Sequence, residues 1–167
     1  MIRILKTVCR LIIGFIFCSS GTVLAVNSNL GLSPWDVFHQ GLSKITGISM
    51  GQVSIFVGLI VVIATIFLKL EIGLGTIANM ILIGVFMDVI SYTKIIPTSH
   101  NFFVSLLMLL GSLFTMAIGS YLYIGCEMGC GPRDGLMVAL VKKTGKPVGF
   151  IRSCIELGVL VIGFILG

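Results

Sequence analysis

Charge is what this chain has least of. Its 167 residues hold six Asp and Glu and eleven Lys and Arg, 10% in all, where soluble domains carry roughly a quarter. Histidine is scarcer still, with His39 and His100 far apart in the chain. There is no GxSxG, no HExxH and no phosphate-binding loop, and no Ser or Asp has an evident partner base, so hydrolysis by an activated nucleophile or a metal-bound water has no carrier. No catalytic residue, cofactor or metal is assigned, and the chain is read as a non-enzyme. The five cysteines are an odd number, which excludes a closed disulfide framework. Cys126 and Cys130 are spaced CxxxC, with no second pair to complete four zinc ligands. The basic residues lie at the ends of apolar runs rather than among aromatics, which argues against nucleic acid as a partner.

Apolar residues fill the space that charge leaves. They make up 57% of the chain, and the mean hydropathy is +1.18. Runs of about twenty apolar residues, the length that crosses the hydrocarbon core, recur. The lipid bilayer is therefore the expected solvent.

The runs are organised by a repeat. A shift of 98 positions, the distance from Pro34 to Pro132, lays GLSPWD (Gly31 to Asp36) on GCGPRD (Gly129 to Asp134). The same shift, without a gap, superposes Gly21, Lys44, Thr46, Gly47 and Gly51 on Gly119, Lys142, Thr144, Gly145 and Gly149. Leucine and valine matches are cheap in membrane spans, but glycine, proline, aspartate and lysine matches are not. Residues 1–93 are expected to form one membrane unit, 94–101 a linking loop, and 102–167 a second, incomplete unit.

Arg3, Lys6 and Arg10 followed by LIIGFIFCSSGTVLA resemble a signal peptide. The repeat instead lays this run on Ser105 to Leu122, an interior span, so a retained helix is expected over Thr7–Val26. Asn27 to Pro34 then forms a break. Proline pushes the residue before it out of the helical region, and from Pro34 a short helix is expected to about Ile45, with Ser33 as its cap and Asp36 in its first turn. Such a helix is too short to span and fits a re-entrant or interfacial segment. Full spans are expected over Gly51–Leu68, Gly73–Tyr92, Phe103–Ile124 and Gly149–Gly167. Before the last of these, the second break leads into a short stretch to Val141 and a basic turn, Lys142 to Pro147. The fold class is thus all-α membrane protein: five transmembrane helices plus two short broken or re-entrant helices, in two related repeats.

With re-entrant short helices, Arg3, Lys6, Arg10, Lys69, Arg133, Lys142, Lys143 and Lys146 share one face, opposite Lys44 and Lys94. The positive-inside rule then places the N-terminus in the cytoplasm. Three spans per unit invert the second copy, as in many transporters. If the short segments crossed fully the charge tally would be almost as lopsided, so charge alone does not choose. Residues aligned with Gly73 to Tyr92 would follow Gly167; either the second unit lacks its last helix or the chain is a shortened form, and the latter is favoured.

The paired breaks GLSPWD and GCGPRD, with GLGTIANMILIGVFMD after the second full span, resemble the YczE/YitT-like family of bacterial integral membrane proteins. The resemblance covers nearly the whole chain. It implies a multi-pass protein of the bacterial plasma membrane and no substrate, because that family's activity is not established. The two breaks differ chemically: Asn29 and Ser33 stand where Glu127 and Gly131 stand in the second.

Asp36 and Asp134 either cap their short helices or face one another as half-helix ends near the midplane. Glu156 lies well inside the last span, either as an ionisable group on a solute path or paired with Arg152 one turn before it. Asn79 and Asp88 join the candidate path, although Asn79 could glue helices together and Asp88 could reach headgroups at its helix end. Gly31, Pro34, Gly129, Gly131 and Pro132 shape the breaks. Trp35 is expected to anchor at the interface, and His39 to have at most a proton-shuttling role. The expected function is a transporter or permease for a small solute or ion. The alternative is a membrane regulator or scaffold that binds a protein or lipid and moves nothing. Homo-oligomerisation is left open.

Overall fold

The computed structural model describes residues 2–167, with side chains from Leu5 onward. Arg3, part of the charge tally, thus has its side chain outside the described residues. Among the described residues the chain forms helices and no strands: α1 (Ile2–Ser28), α2 (Pro34–Thr46), α3 (Met50–Phe67), α4 (Leu74–Thr93), α5 (Phe102–Ile124), α6 (Pro132–Thr144) and α7 (Val148–Leu166). Five of these, α1, α3, α4, α5 and α7, are long and apolar enough to cross a membrane. Their outward faces carry exposed Phe56, Ile60, Phe67, Leu107, Phe114, Phe164 and Ile165, surface that lipid rather than water would cover.

The two short helices are built alike. Both have 13 residues, with proline in the first turn and a left-handed glycine, Gly47 or Gly145, at the C-terminal cap. Glycine takes that conformation without the steric cost that other residues carry. Asn29 and Glu127, equivalent under the 98-residue shift, are both left-handed, with φ of 53° and 54°. The expected short helices therefore form with nearly the expected bounds. The difference is at the C-terminus of α6, which continues through Lys142 and Lys143 to Thr144. Two lysines in a last turn face the negative end of the helix, so charge favours extending the helix where a basic turn was expected.

Small residues set the packing. A Cβ at Gly14 would lie 3.0 Å from the Gly119 carbonyl oxygen, and one at Gly21 would lie 3.0 Å from that of Ser112. As residue numbers rise along α1 they fall along α5, so these two helices run antiparallel. Ser19 donates to the Ile83 carbonyl at 3.0 Å, tying α1 to α4. On the other side α2 lies along α7: a Cβ at Gly41 would come within 2.7 Å of the Gly163 carbonyl oxygen, and one at Gly163 within 2.6 Å of the Phe38 backbone. Two buried clusters result. Leu11, Phe15, Cys18 and Tyr123 join α1 to α5, and Trp35, Val53, Val57 and Val61 join α2 to α3.

The close approach of α2 and α7 predicts a contrast between two glycines of one helix. Gly163→Val should cost about 1 to 3 kcal/mol through overpacking, whereas Gly149→Val, where an added Cβ meets nothing within 4 Å, should stay within about 0.5 kcal/mol of the parent. Denaturation of the reconstituted protein followed by helical circular dichroism measures both.

Candidate functional site

The breaks bring the starts of α2 and α6 together. Ser33 caps α2: its Oγ accepts from the Asp36 amide at 3.3 Å, while its hydroxyl donates to Asp36 Oδ2 at 2.6 Å. Gly131, the equivalent residue, caps α6 with no side chain at all. Asp36 is 3% exposed, and a carboxylate that deep needs a counter-charge. Arg133 of α6 supplies it, with Nη2 3.6 Å from Asp36 Oδ1. The same guanidinium lies 5.2 Å from the centre of the Trp35 ring, a cation–π distance, and 3.4 Å from His39 Nδ1. Three residues of α2 thus hold one residue of α6.

The contact with His39 fixes a tautomer. Arginine only donates, so Nδ1 must accept and the imidazole proton sits on Nε2. His39 is 2% exposed, and Nε2 has no hydrogen-bond partner among the described residues.

Beside this junction lies a cavity of about 340 Å³. It is lined by Trp35 and His39 of α2, Gly58 of α3, Asn79 and Met80 of α4, Tyr123 of α5, Arg133 and Asp134 of α6, and Arg152 and Glu156 of α7. Asp134 interacts electrostatically with the Tyr123 hydroxyl, Cys130 and Arg152. Arg152 and Glu156 form an ion pair at 2.8 Å, one turn apart on α7 and partly exposed.

Of the residues singled out in the sequence, Asp134, Glu156 and Asn79 line this cavity together with Pro34, Gly131 and Pro132. Asp36 is joined to it through Arg133. Glu156 satisfies both of its readings at once, paired with Arg152 and facing the cavity. Asp88 stands apart, accepting from the Ser49 hydroxyl and the Gly51 amide and so capping α3 from α4. Gly129 packs on the start of α4: a Cβ there would lie 2.7 Å from Thr76 Oγ1 and 3.0 Å from Gly73 Cα. The same break is tied down by the Gly75 amide donating to the Met128 carbonyl at 2.8 Å and by Thr76 Oγ1 donating to the Cys130 carbonyl at 2.6 Å. Gly31 is open, with nothing near an added Cβ.

One expectation is corrected. Trp35 is buried against Arg133 rather than anchored at an interface, because its ring face covers the cation that Asp36 holds. Arg133, counted among basic residues at a span end, pairs with buried Asp36 while its own side chain stays 37% exposed. Neither Arg133 nor Tyr123 was assigned to a site from the sequence. The available signal was the charge balance of the two breaks, where an Arg follows Pro132 and a Trp follows Pro34.

These features define a polytopic helical membrane protein with a polar cavity where two half-length helices meet. The chain belongs to the Family of unknown function (DUF6198), whose model matches residues 5–167. It is 34% identical over 162 residues to an uncharacterized protein of Haemophilus influenzae, covering 97% of this chain and 73% of that protein. With the uncharacterized membrane protein YczE of Bacillus subtilis it shares 34% identity over 156 residues, covering 92% and 72%. With the uncharacterized protein YyaS of the same organism it shares 28% over 156 residues, covering 92% and 77%. The expected resemblance to YczE-like membrane proteins therefore stands. No solved structure matches the chain.

The junction itself is testable by a double-mutant cycle. Arg133→Gln strands the buried Asp36 carboxylate and should cost about 2 to 3 kcal/mol, at or below the low end for a buried pair because Arg133 is partly exposed. Adding Asp36→Asn should recover part of that loss. Unfolding of the two single variants and the double variant reads the coupling.

Proposed function

We propose that the chain is a secondary transporter or channel-like permease of the bacterial plasma membrane, carrying a small solute or ion. The observation that carries this reading is the cavity, bounded by the starts of two half-length helices and by charged groups from α6 and α7. Broken helices whose ends meet around such a site are a recurring device for binding a solute inside a membrane. The antiparallel run of α1 and α5, equivalent under the 98-residue shift, supports two inverted units. Inversion in turn supports re-entrant short helices and an N-terminus in the cytoplasm, on the face that carries Lys6, Arg10, Lys69, Lys142, Lys143 and Lys146.

Two measurements test this. In a cysteine-free background, Lys44→Cys and Lys142→Cys should label from opposite sides of the membrane; labelling of both from the cytoplasm overturns the inverted arrangement. In proteoliposomes, the native protein should carry flux of at least one solute or ion from a broad panel, and Asp134→Asn should abolish it with folded yield unchanged. Folded protein without any flux overturns the permease reading and leaves a non-transporting regulator or scaffold.

A further inference from the structure

The polar groups around the cavity divide into committed and uncommitted ones. Arg133 is engaged by Asp36 and by His39 Nδ1, Arg152 by Glu156, and Ser33 by Asp36. Among the rest, three groups set what an occupant must supply. His39 Nε2–H is a buried donor without a partner among the described residues. Asn79, 8% exposed, makes no side-chain hydrogen bond among them although it lines the cavity. Asp134 has no ion-pair partner within 4.0 Å among them; the Tyr123 hydroxyl hydrogen-bonds to it, and the Cys130 thiol and the more distant Arg152 charge bear on it without neutralising it.

Each uncommitted group asks something of an occupant. A buried N–H that is left unpaired is costly, so His39 requires an acceptor. Arginines 133 and 152 are each matched by a carboxylate, which leaves Asp134 as one negative charge in excess. An anionic occupant would add a second and would meet only a neutral imidazole in return. Asn79 both donates and accepts, so it fits either kind of group. Trp35, Met80, Met116, Met137 and Ile155 supply apolar wall between the polar groups.

We propose that this cavity binds a small organic monocation that also carries an oxygen acceptor, a hydroxyl- or carbonyl-bearing primary amine, with the ammonium on Asp134 and the oxygen taking the His39 Nε2–H. The proposal rests on the permease reading only in taking this cavity as the solute site. A bare alkali ion meets the charge requirement and leaves His39 unpaired; water meets His39 and leaves the charge.

The chain's single tryptophan is Trp35, which lines the cavity and so reports on occupancy. Full-length protein in nanodiscs is titrated with aminobutanol, pentylamine and hydroxybutyrate, three probes of similar length, and Trp35 fluorescence is followed. Aminobutanol should bind tightest and pentylamine about tenfold more weakly, since a site built to donate a hydrogen bond discriminates against a ligand that cannot accept it. Hydroxybutyrate should give no saturable change. His39→Phe should reduce aminobutanol to the level of pentylamine, His39→Gln, which keeps an N–H donor, should retain part of the preference, and Asp134→Asn should weaken both amines.

Equal binding of the two amines to the native protein, preference for hydroxybutyrate, or the same response to sodium chloride alone overturns the proposal. If His39→Phe does not fold, the ranking of probes on the native protein and His39→Gln still decides it. Amine binding without flux supports the proposal and counts against the permease reading. Flux of an unrelated ion with no amine binding does the reverse.

Discussion

A carboxylate that is nearly inaccessible must be paid for by a positive charge close by, and Asp36 obtains that charge from Arg133, 97 residues later in the chain. Much of the interior follows from this pairing. It draws the start of α6 onto the start of α2, lays the guanidinium over Trp35, and fixes which nitrogen of His39 carries the proton. The cavity lies beside this junction, with α4, α5 and α7 completing its wall.

The two short helices use their first turns differently. Ser33 closes the start of α2 with its own side chain, and Asp36 is occupied by that hydroxyl and by Arg133. In the second half, glycine replaces the serine, so the start of α6 is left open beside Asn79 and Tyr123; a Cβ at position 131 would lie 3.4 Å from Asn79 Oδ1. Asp36 is thus taken up by the junction, while its counterpart, Asp134, lines the cavity. An equivalence in sequence does not carry an equivalence in chemistry.

The helices were legible because their ends are decided locally. Proline in the first turn, serine before it and glycine after the last turn act within a few residues, and the full spans declare themselves by length and hydropathy. The short helices ended where Gly47 and Gly145 ended them. The wiring of the site was not legible, because its partners are distant in sequence. Arg133 looks like any basic residue after a proline until Asp36 is beside it, and Asp88 looks like a headgroup contact until the start of α3 lies against it. Trp35 misled for the same reason. Tryptophan at a break suits an interface, and only a cation arriving from another helix makes the interior the better place.

The walls of the cavity are held by different kinds of contact. Separating α2 from α6 would strip Arg133 of a carboxylate, a ring face and an imidazole together. The α7 wall is held largely by shape: Gly163 fits against Phe38, Ile155 and Val159 pack on the Trp35–Val61 cluster, and the Arg152–Glu156 pair lies within the helix. The junction therefore answers to charge and the α7 seam to volume, so removing one charge unseats the first while the second feels mainly a change in side-chain size.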